Sequence, residues 1–347
     1  MLDSLPKFQD QDILKSYIKG FNIINNYGYK NILCSISGGS DSDIVLDIIS
    51  RIDVDKKVKY IWFDTGLEYQ ATKDHLKYLE EKYDIIIERE RAIKPIPLSC
   101  KEYGQPFLSK QVSCMIDMLQ RNNFKWEDRP LDELLEEYPK CKSAIRWWCN
   151  ARDTKDFGYS IFNINYNKFL KDFLIQNPPT FKIAAKCCKY AKKDVSKAIA
   201  KKYNADLMII GVRKAEGGIR STIYKSCFSR NDDTIDQYRP IFWYKNETKE
   251  YYEKIFNIQH SKCYTQYGFI RTGCCCCPYG SKSLEHELDV VKEYEPLLYK
   301  AVNKVFKDTY EYTRQYREFC EVKKQENKMQ QEQLKGQMYI TDFIQGV

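Results

Sequence analysis

The chain has 347 residues, of which 30% are charged and 43% belong to the hydrophobic class, so it is long enough to fold around a sizeable core. It has no run of 18 apolar residues and no leader with basic and apolar regions, which argues against a membrane partner and predicts a cytoplasmic location. Its formal net charge of +8 suits phosphate-bearing ligands and permits a nucleic-acid partner without demonstrating one.

The number and spacing of the cysteines favour reduced thiols over disulfides. The chain has 14 cysteines, and without a secretory signal these favour metal ligation or catalysis over disulfides. Cys187 and Cys188 are adjacent, and residues 274–277 are four cysteines in a row, which is not a natural disulfide framework. The three histidines have no spacing typical of a metal site or a catalytic triad.

The first part of the chain predicts a helix, a strand and a second helix. Residues 10–26 carry apolar positions at helical spacing, which predicts an amphipathic helix packed on a sheet. The apolar run over residues 31–36 predicts a strand, and apolar positions 44, 45, 48 and 49 predict the helix that follows it.

A turn with two glycines lies between that strand and that helix. Adjacent glycines let the backbone adopt a positive φ and leave room for a ligand, and the helix start offers free N–H groups. Phosphate oxygens fit such a place, although an ordinary turn is the alternative. The residues of this glycine loop are Ser37, Gly38, Gly39, Ser40, Asp41 and Ser42, the last three being candidate helix caps.

The second predicted strand, over residues 58–63, is followed by Asp64, Thr65 and Gly66. Because ligands bind at the carboxyl ends of parallel strands, Asp64 could position a nucleotide or Mg²⁺. The alternative is an Asx turn or a helix cap. A helix over residues 69–83 and a short strand over residues 85–88 are expected next.

A later strand, predicted over residues 205–210, ends in a second candidate anion-binding segment. Gly211 frees the turn, and Arg213 and Arg220 offer forked donors suited to sulfate or phosphate. The alternative is a flexible basic loop. Residues 284–330 are charged and helix-favouring, which predicts flanking helices and a candidate contact for a homo-oligomer.

These motifs resemble those of a known family. The glycine loop resembles the S-G-G-x-D-S pyrophosphate loop of the adenine-nucleotide α-hydrolase superfamily, the PP-loop enzymes. With D-T-G-L-E one βα unit later, the chain resembles the phosphoadenosine phosphosulfate (PAPS) reductase branch. Similar blocks are the G-x-R of residues 211–213 and the Y-x-x-x-G-F-x-R-x-G-C of residues 264–274, so the resemblance covers about residues 30–90 and 180–280.

The resemblance implies an α/β fold of three layers, with a mostly parallel twisted sheet and helices on both faces. It implies a PP-loop domain over residues 1–290, with a helical insertion at about 95–178, and a helical C-terminal extension over 291–347. The implied nucleotide-binding residues are Ser37, Gly38, Gly39, Ser40, Asp41, Ser42, Asp64, Thr65, Gly66, Gly211 and Arg213. The implied catalytic residues are Asp41, Arg213 and Arg220.

The cysteines resemble the signature of the iron–sulfur subset of this family, in which a C-C pair is followed after some 90 residues by C-x-x-C. On that resemblance a [4Fe–4S] cluster has four ligands, which are Cys187, Cys188, Cys274 and Cys277. Four thiolates also satisfy a tetrahedral zinc, so zinc and the absence of a metal stay open as alternatives. Cys275 and Cys276 leave another choice of ligands within the run.

The functional expectation follows from a missing motif. Sulfonucleotide reductases usually attack the activated sulfate with a cysteine in a C-terminal E-C-G-L-H motif, whereas here the last cysteine is Cys320 and no histidine follows it. We therefore expect an enzyme that binds an adenine nucleotide, ATP, with Mg²⁺ and cleaves it at the α-phosphate. A cluster or thiol then manages sulfur for a nucleic-acid or protein partner.

Two other hypotheses remain. The first is reduction of adenylylsulfate or PAPS with release of sulfite, in which Arg213 and Arg220 hold the sulfate end. The second is a module that binds nucleotide or nucleic acid without catalysis.

Overall fold

The computed structural model describes residues 10–152, 160, 162–217, 223–230, 235–280 and 283–345, and from residue 334 onward the backbone alone. The chain divides into two compact units. The first comprises Met1–Leu98, Cys188–Cys277 and Glu285–Lys300, and the second comprises Ser99–Cys187, Pro278–Leu284 and Ala301–Val347. The domain boundary expected near residue 290 stays a prediction.

The first unit contains a six-stranded sheet. Its strands are β1 (Ile32–Ser35), β2 (Val58–Asp64), β3 (Ile87–Arg91), β4 (Leu207–Ile210), β5 (Phe228–Ser229) and β6 (Asp236–Tyr238). Their order is β3-β2-β1-β4-β6-β5, and every pair is parallel except β5 with β6. Ser35 at the end of β1 lies opposite Ile61 and Ile210, so the segments after these three strands reach the same edge of the sheet.

The strand order explains where a ligand can enter. From β1 the chain proceeds to β2 and β3 on one side, whereas β4 lies on the other side. In open parallel sheets the crevice for a ligand opens at such a reversal, outside the carboxyl end of the strand. The glycine loop follows β1 directly and therefore lies at that position.

The helices are bounded as follows. They are α1 (Gln11–Phe21), α2 (Ser40–Ile52), α3 (Gln70–Tyr83), α4 (Ile96–Tyr103), α5 (Lys110–Arg121), α6 (Leu131–Glu137), α7 (Lys142–Trp148), α8 (Leu170–Gln176), α9 (Lys186–Cys188), α10 (Asp194–Lys202), α11 (Asn246–Ile255), α12 (Lys262–Thr265), α13 (Leu284–Tyr294) and α14 (Pro296–Gln345). Two π-helical turns continue α1 over Asn22–Asn26 and α9 over Lys189–Lys193, and 3₁₀ turns cover Pro139–Cys141, Ile164–Tyr166 and Lys214–Glu216.

The core of the first unit lies between the sheet and helices α1, α2, α3 and α11, which contribute buried side chains to one apolar cluster. Helix α10 contacts β3 and adds no residue to that cluster. The apolar spacing of α2 places Ile44, Ile48 and Ile49 in this core, all fully buried. The expected α/β architecture, with helices on both faces of a mostly parallel sheet, is confirmed.

The second unit has a helical core built from aromatic residues. Trp147 and Trp148 on α7 are fully buried, and Phe173 on α8 packs between Tyr312 and Tyr316 of α14. A backbone bridge joins Gln105 to Ile183 in this unit. The described part of the insertion is therefore helical, as expected.

Some boundaries differ from the sequence prediction. The third strand begins at Ile87, two residues later than expected, and β5 and β6 were not anticipated because they are only two and three residues long. No helix of the described residues has an apolar stretch long enough to cross a membrane, and this includes the 50-residue α14.

Replacing Trp148 with alanine should destabilise the second unit by about 3–5 kcal/mol, because it leaves a cavity where a fully buried indole packs edge-on against Phe124 and Trp126. It also removes the Nε1–H that donates to the Glu127 carbonyl at 2.9 Å. Urea unfolding followed by circular dichroism measures the loss. The matched control is Trp243→Ala, since Trp243 is 45% exposed and its loss should cost about 0.5 kcal/mol or less. Equal effects of the two substitutions would contradict the packing argument.

Candidate nucleotide and thiol site

The glycine loop is shaped by backbone requirements. Gly38 has a φ of +67°, and a Cβ there would lie 2.8 Å from Thr72 Cγ2, so the position requires glycine. Helix α2 begins at Ser40 with Gly39 as its N-cap and no side-chain cap. The expectation that Ser40, Asp41 or Ser42 caps this helix is therefore wrong. Ser42 Oγ instead accepts the N–H of Ser37 at 2.9 Å and closes the loop.

Two cations converge on the first turn of α2. Arg213 Nε donates to both carboxylate oxygens of Asp41, at 2.9 and 3.0 Å, and Arg213 Nη1 donates to Asn246 Oδ1 at 3.0 Å. Lys249 Nζ lies 2.9 Å from Asp41 Oδ1 and donates to Ser40 Oγ at 2.6 Å. These charges surround the end of a helix whose free N–H groups already favour an anion.

Gly211 closes the other side of the loop. A Cβ at this position would lie 3.5 Å from the backbone of Asp41 and Ser42, which is ordinary contact. The segment after β4 thus approaches the glycine loop closely and brings Gly211 and Arg213 beside it, while their role in binding a nucleotide stays a prediction. Arg220, predicted to act with them, lies outside the described residues.

A pair of hydroxyl groups covers the N-cap. Tyr264 Oη accepts the N–H of Ser40 at 3.2 Å and lies 2.9 Å from Thr272 Oγ1. A Cβ on Gly39 would be 3.2 Å from that tyrosine oxygen and 3.3 Å from the threonine oxygen. Polar atoms therefore occupy the position beside the helix N-terminus where a phosphate oxygen would be favoured.

A buried carboxylate also belongs to the first turn of α2. Asp43 is 1% exposed, and its two oxygens lie 2.7 Å from His260 Nδ1 and 3.1 Å from His75 Nε2. His260 Nε2 lies 3.0 Å from Glu253 Oε1. Burial alone would lower the pKa of His260, but the hydrogen bonds to Asp43 and Glu253 raise it to about 9. The imidazolium is therefore the form present at neutral pH.

Asp64 at the end of β2 has protein partners of its own. It accepts hydrogen bonds from the Arg89 guanidinium and from the N–H of Gly66, which makes the Asx turn considered as the alternative. Burial would raise the pKa of Asp64, but these hydrogen bonds hold it below its usual value. A cavity of about 300 Å³ lies on this side of the sheet, lined in part by Trp62 and Lys73.

Thr65 connects this strand end to the cysteines. Its hydroxyl donates to Glu68 Oε1 at 2.5 Å and lies 3.7 Å from Cys274 Sγ. Burial raises the pKa of Glu68, although the hydrogen bond from Thr65 opposes the rise. The nucleotide-binding residues predicted after β2 therefore lie next to the cysteine run.

The four cysteines of the run differ in accessibility. The N–H of Cys275 donates to the Leu67 carbonyl at 2.9 Å, and the N–H of Cys276 donates to Tyr69 Oη at 3.2 Å. These two central side chains are fully buried, whereas Cys274 and Cys277 are half-buried. The outer pair of the run is thus the accessible one.

A lysine lies among the thiols of the first unit. The pKa of the Lys192 ammonium is raised, chiefly by the charge of Cys274. Glu68, Cys188 and Cys277 raise it further, against the effect of burial. Three of the four predicted metal ligands therefore influence the charge of this lysine.

Cysteine thiolates are suitable donors for a soft metal. Within the described ranges, no group of three or more His, Cys, Asp or Glu side chains is already arranged to hold a metal ion. Cys187 belongs to the second unit, so the ligand set of four cysteines stays a prediction.

Sequence reasoning missed several of these residues. No sequence motif distinguishes Lys249 and Lys192 from the other lysines and arginines, of which the chain has 56 in total. Tyr264 and Thr272 stand inside the family-like block of residues 264–274, but the spacing alone does not assign them to the loop. His260 has no motif around it and is recognised only from its neighbours in space.

Comparison with known proteins now adds the family. Residues 31–138 match the family model of the phosphoadenosine phosphosulfate reductase domain. The match includes the glycine loop and Asp64 to Gly66, and it confirms the resemblance to this family that the sequence motifs predicted. It ends before Cys187 and therefore does not include the predicted metal ligands.

Solved structures similar to this chain were also found. A PAPS reductase from Candida auris in complex with phosphate is 12% identical, covering 78% of this chain and 97% of its own, with a TM-score of 0.40. An NH3-dependent NAD synthetase from Campylobacter jejuni is 11% identical, covering 87% and 94%, with a TM-score of 0.36. A U34-tRNA thiolase from Methanococcus maripaludis with its [4Fe-4S] cluster is 11% identical, covering 87% and 79%, with a TM-score of 0.36. No curated protein matches the chain.

The His260 imidazolium should make stability depend on pH. Its pKa is raised from 6.5 to about 9, so its stabilising effect is complete below pH 6.5 and is lost as the pH rises through about 9. The difference in unfolding free energy between wild type and His260→Gln should shrink by about 2–3 kcal/mol over that range. Urea unfolding at several pH values measures this difference. His286→Gln is the control, because His286 is exposed, and a difference for His260→Gln that does not change with pH would contradict the assignment.

Proposed function

We propose that this chain is a nucleotide-dependent sulfur-transfer enzyme that binds ATP with its phosphates at the glycine loop. One observation carries the proposal. The anion-binding turn, with its glycines and the two cations at Asp41, shares a sheet edge with the cysteine run, which Thr65 approaches to 3.7 Å from Cys274. The glycine loop and the cysteine run therefore lie close together within one unit.

The electrostatics of the loop favour departure of pyrophosphate. The N-terminus of α2 and the Arg213 guanidinium offer positive charge and N–H donors where the leaving group would gain negative charge. Mg²⁺ bound with the nucleotide would neutralise phosphate charge in the same way. The cavity lined by Trp62 and by Arg89, which donates to Asp64, supports a place there for the adenosine part.

The proposed reaction has two steps. An acceptor oxygen attacks the α-phosphorus, which forms an O–P bond and breaks the bond to pyrophosphate. Hydrosulfide, or a donor of equivalent sulfur, then attacks the acceptor carbon and displaces AMP, so the overall exchange is not a redox reaction. The net charge of +8 tolerates a nucleic acid as the acceptor, and a protein acceptor is equally compatible with this chemistry.

A metal centre is the second part of the proposal. Cys187, Cys188, Cys274 and Cys277 would hold a [4Fe–4S] cluster, and the accessibility of Cys274 and Cys277 within the run supports that choice over the buried central pair. When bound, such a cluster supplies a thiophilic iron centre, whereas zinc would supply structure alone.

Reduction of adenylylsulfate or PAPS is the second candidate, and the state of Cys320 argues against it. Burial raises the pKa of its thiol, and its Sγ donates to the Lys168 carbonyl at 3.6 Å. A thiol held in this way in α14 is a poor nucleophile, because the thiolate is the reactive form.

Product analysis separates these functions. Anaerobic protein with its metal intact, given ATP and a nucleic-acid or protein acceptor, should release pyrophosphate, and the same protein given adenylylsulfate should release no sulfite. Gly39→Val should abolish both binding and turnover, because its methyl groups enter the space held by Tyr264 and Thr272. Sulfite release would establish the reductase instead. Binding of ATP with no cleavage of either compound would favour the non-catalytic module.

Metal content tests the thiol site. The double substitution Cys274→Ser with Cys277→Ser should remove the brown colour and the absorbance near 400 nm of a [4Fe–4S] cluster, together with its iron, because two of its four thiolate ligands are lost. Cys114→Ser is the matched control, since Cys114 is exposed on α5 in the second unit. A colourless protein that contains zinc would refute the cluster, and iron retained in the double variant would refute the ligands.

A further inference from the structure

We infer that Lys249 is a phosphate-binding residue of the glycine-loop site and that it recognises the pyrophosphate part of a nucleotide. The inference rests on the proposed binding of nucleotide phosphates at this loop and adds a residue that none of the sequence motifs contains. Lys249 is on α11, far from the loop in the chain.

The position of the Lys249 ammonium is the first argument. Its Nζ lies 2.9 Å from Asp41 Oδ1 and donates to Ser40 Oγ at 2.6 Å, and the side chain is only 16% exposed. Both partners belong to the first turn of α2, the positive end of the helix dipole. A largely buried lysine at such a place needs an anion beside it, and Asp41 is the anion that the protein supplies.

The rigidity of α11 is the second argument. Thr248 Oγ1 donates to Asp10 Oδ2 at 2.9 Å, and Tyr252 Oη donates to Asp47 Oδ2 at 2.6 Å, so the helix is fixed on both sides of Lys249. Glu253, at 3.6 Å from the ammonium, is itself held by His260. The stem of Lys249 is therefore directed at the loop, and its tip alone has to move in order to change partners.

The balance of charge is the third argument. Arg213 and Lys249 share the carboxylate of Asp41, and the Glu253 carboxylate lies further from the ammonium, at 3.6 Å, while the helix end adds positive potential. A diphosphate or triphosphate group, which carries more negative charge than a carboxylate or a single phosphate group, would compensate these cations better than Asp41 does. Lysine suits this exchange, since its ammonium is a compact charge on a flexible stem. The recognised class is thus compounds with a diphosphate or triphosphate group.

Calorimetric titration of the full chain tests the inference. The probes are inorganic pyrophosphate, ATP and adenosine, and the variants are Lys249→Met, Lys249→Arg and Lys254→Met. Lys249→Met should weaken binding of pyrophosphate and ATP about tenfold, the loss of one charge-assisted contact, and leave adenosine binding unchanged. Lys249→Arg should restore part of the affinity. Lys254→Met, at an exposed position of the same helix, should bind like wild type.

The outcomes separate this inference from the proposed function. Wild type that binds neither pyrophosphate nor ATP would overturn both. Wild type that binds them with the same affinity as Lys249→Met would overturn only the role of Lys249, and a lower unfolding midpoint of that variant would then mark the lysine as a structural ion pair between α11 and α2. Equal weakening of adenosine binding would also count against a phosphate contact.

Discussion

The carboxylate of Asp41 holds the site together. It binds Arg213, which follows β4, and Lys249, which is on α11, so one side chain on the first turn of α2 joins three separate segments of the chain. Without it, Arg213 would lose its carboxylate partner and Lys249 would keep only Glu253, at 3.6 Å, beside the positive end of a helix, and poorly compensated charge is costly away from water. The need to neutralise these cations thus fixes how the segment after β4 and helix α11 approach the glycine loop.

The segment from His260 to Cys277 gives the site its second constraint. At one end His260 binds Asp43 and Tyr264 accepts the N–H of Ser40, both on α2. At the other end, Cys274 lies beside Thr65 at the end of β2. The same short stretch therefore supports the phosphate-binding turn and carries the thiols.

Features that depend on a few neighbouring residues could be predicted from the sequence, whereas contacts between residues far apart in the chain could not. Strands β2 and β4 and the glycine loop were predictable, because apolar runs and adjacent glycines act within a few residues. The start of the third strand was misplaced because Ile85, Ile86 and Ile87 are all apolar. They therefore lack the alternation of apolar and polar residues that would indicate where the strand begins. Lys249 could not be found, since its role depends on an ion pair formed across more than two hundred positions. Arg213 could be found because it follows a strand at the edge where ligands bind.

The proposed phosphate ligand would have to compete with the ion pairs already present at the loop. Asp41 is covalently fixed on α2, so it can satisfy Arg213 and Lys249 only from one side and with one charge. Tyr264 likewise satisfies the N–H of Ser40 with a neutral oxygen, a weaker partner than a charged one. An incoming diphosphate brings several charged oxygens that can reach these donors together. The cost of displacing Asp41 and Tyr264 would therefore be offset best by the ligand with the most negative charge, so the proposed site should prefer nucleoside triphosphates over monophosphates.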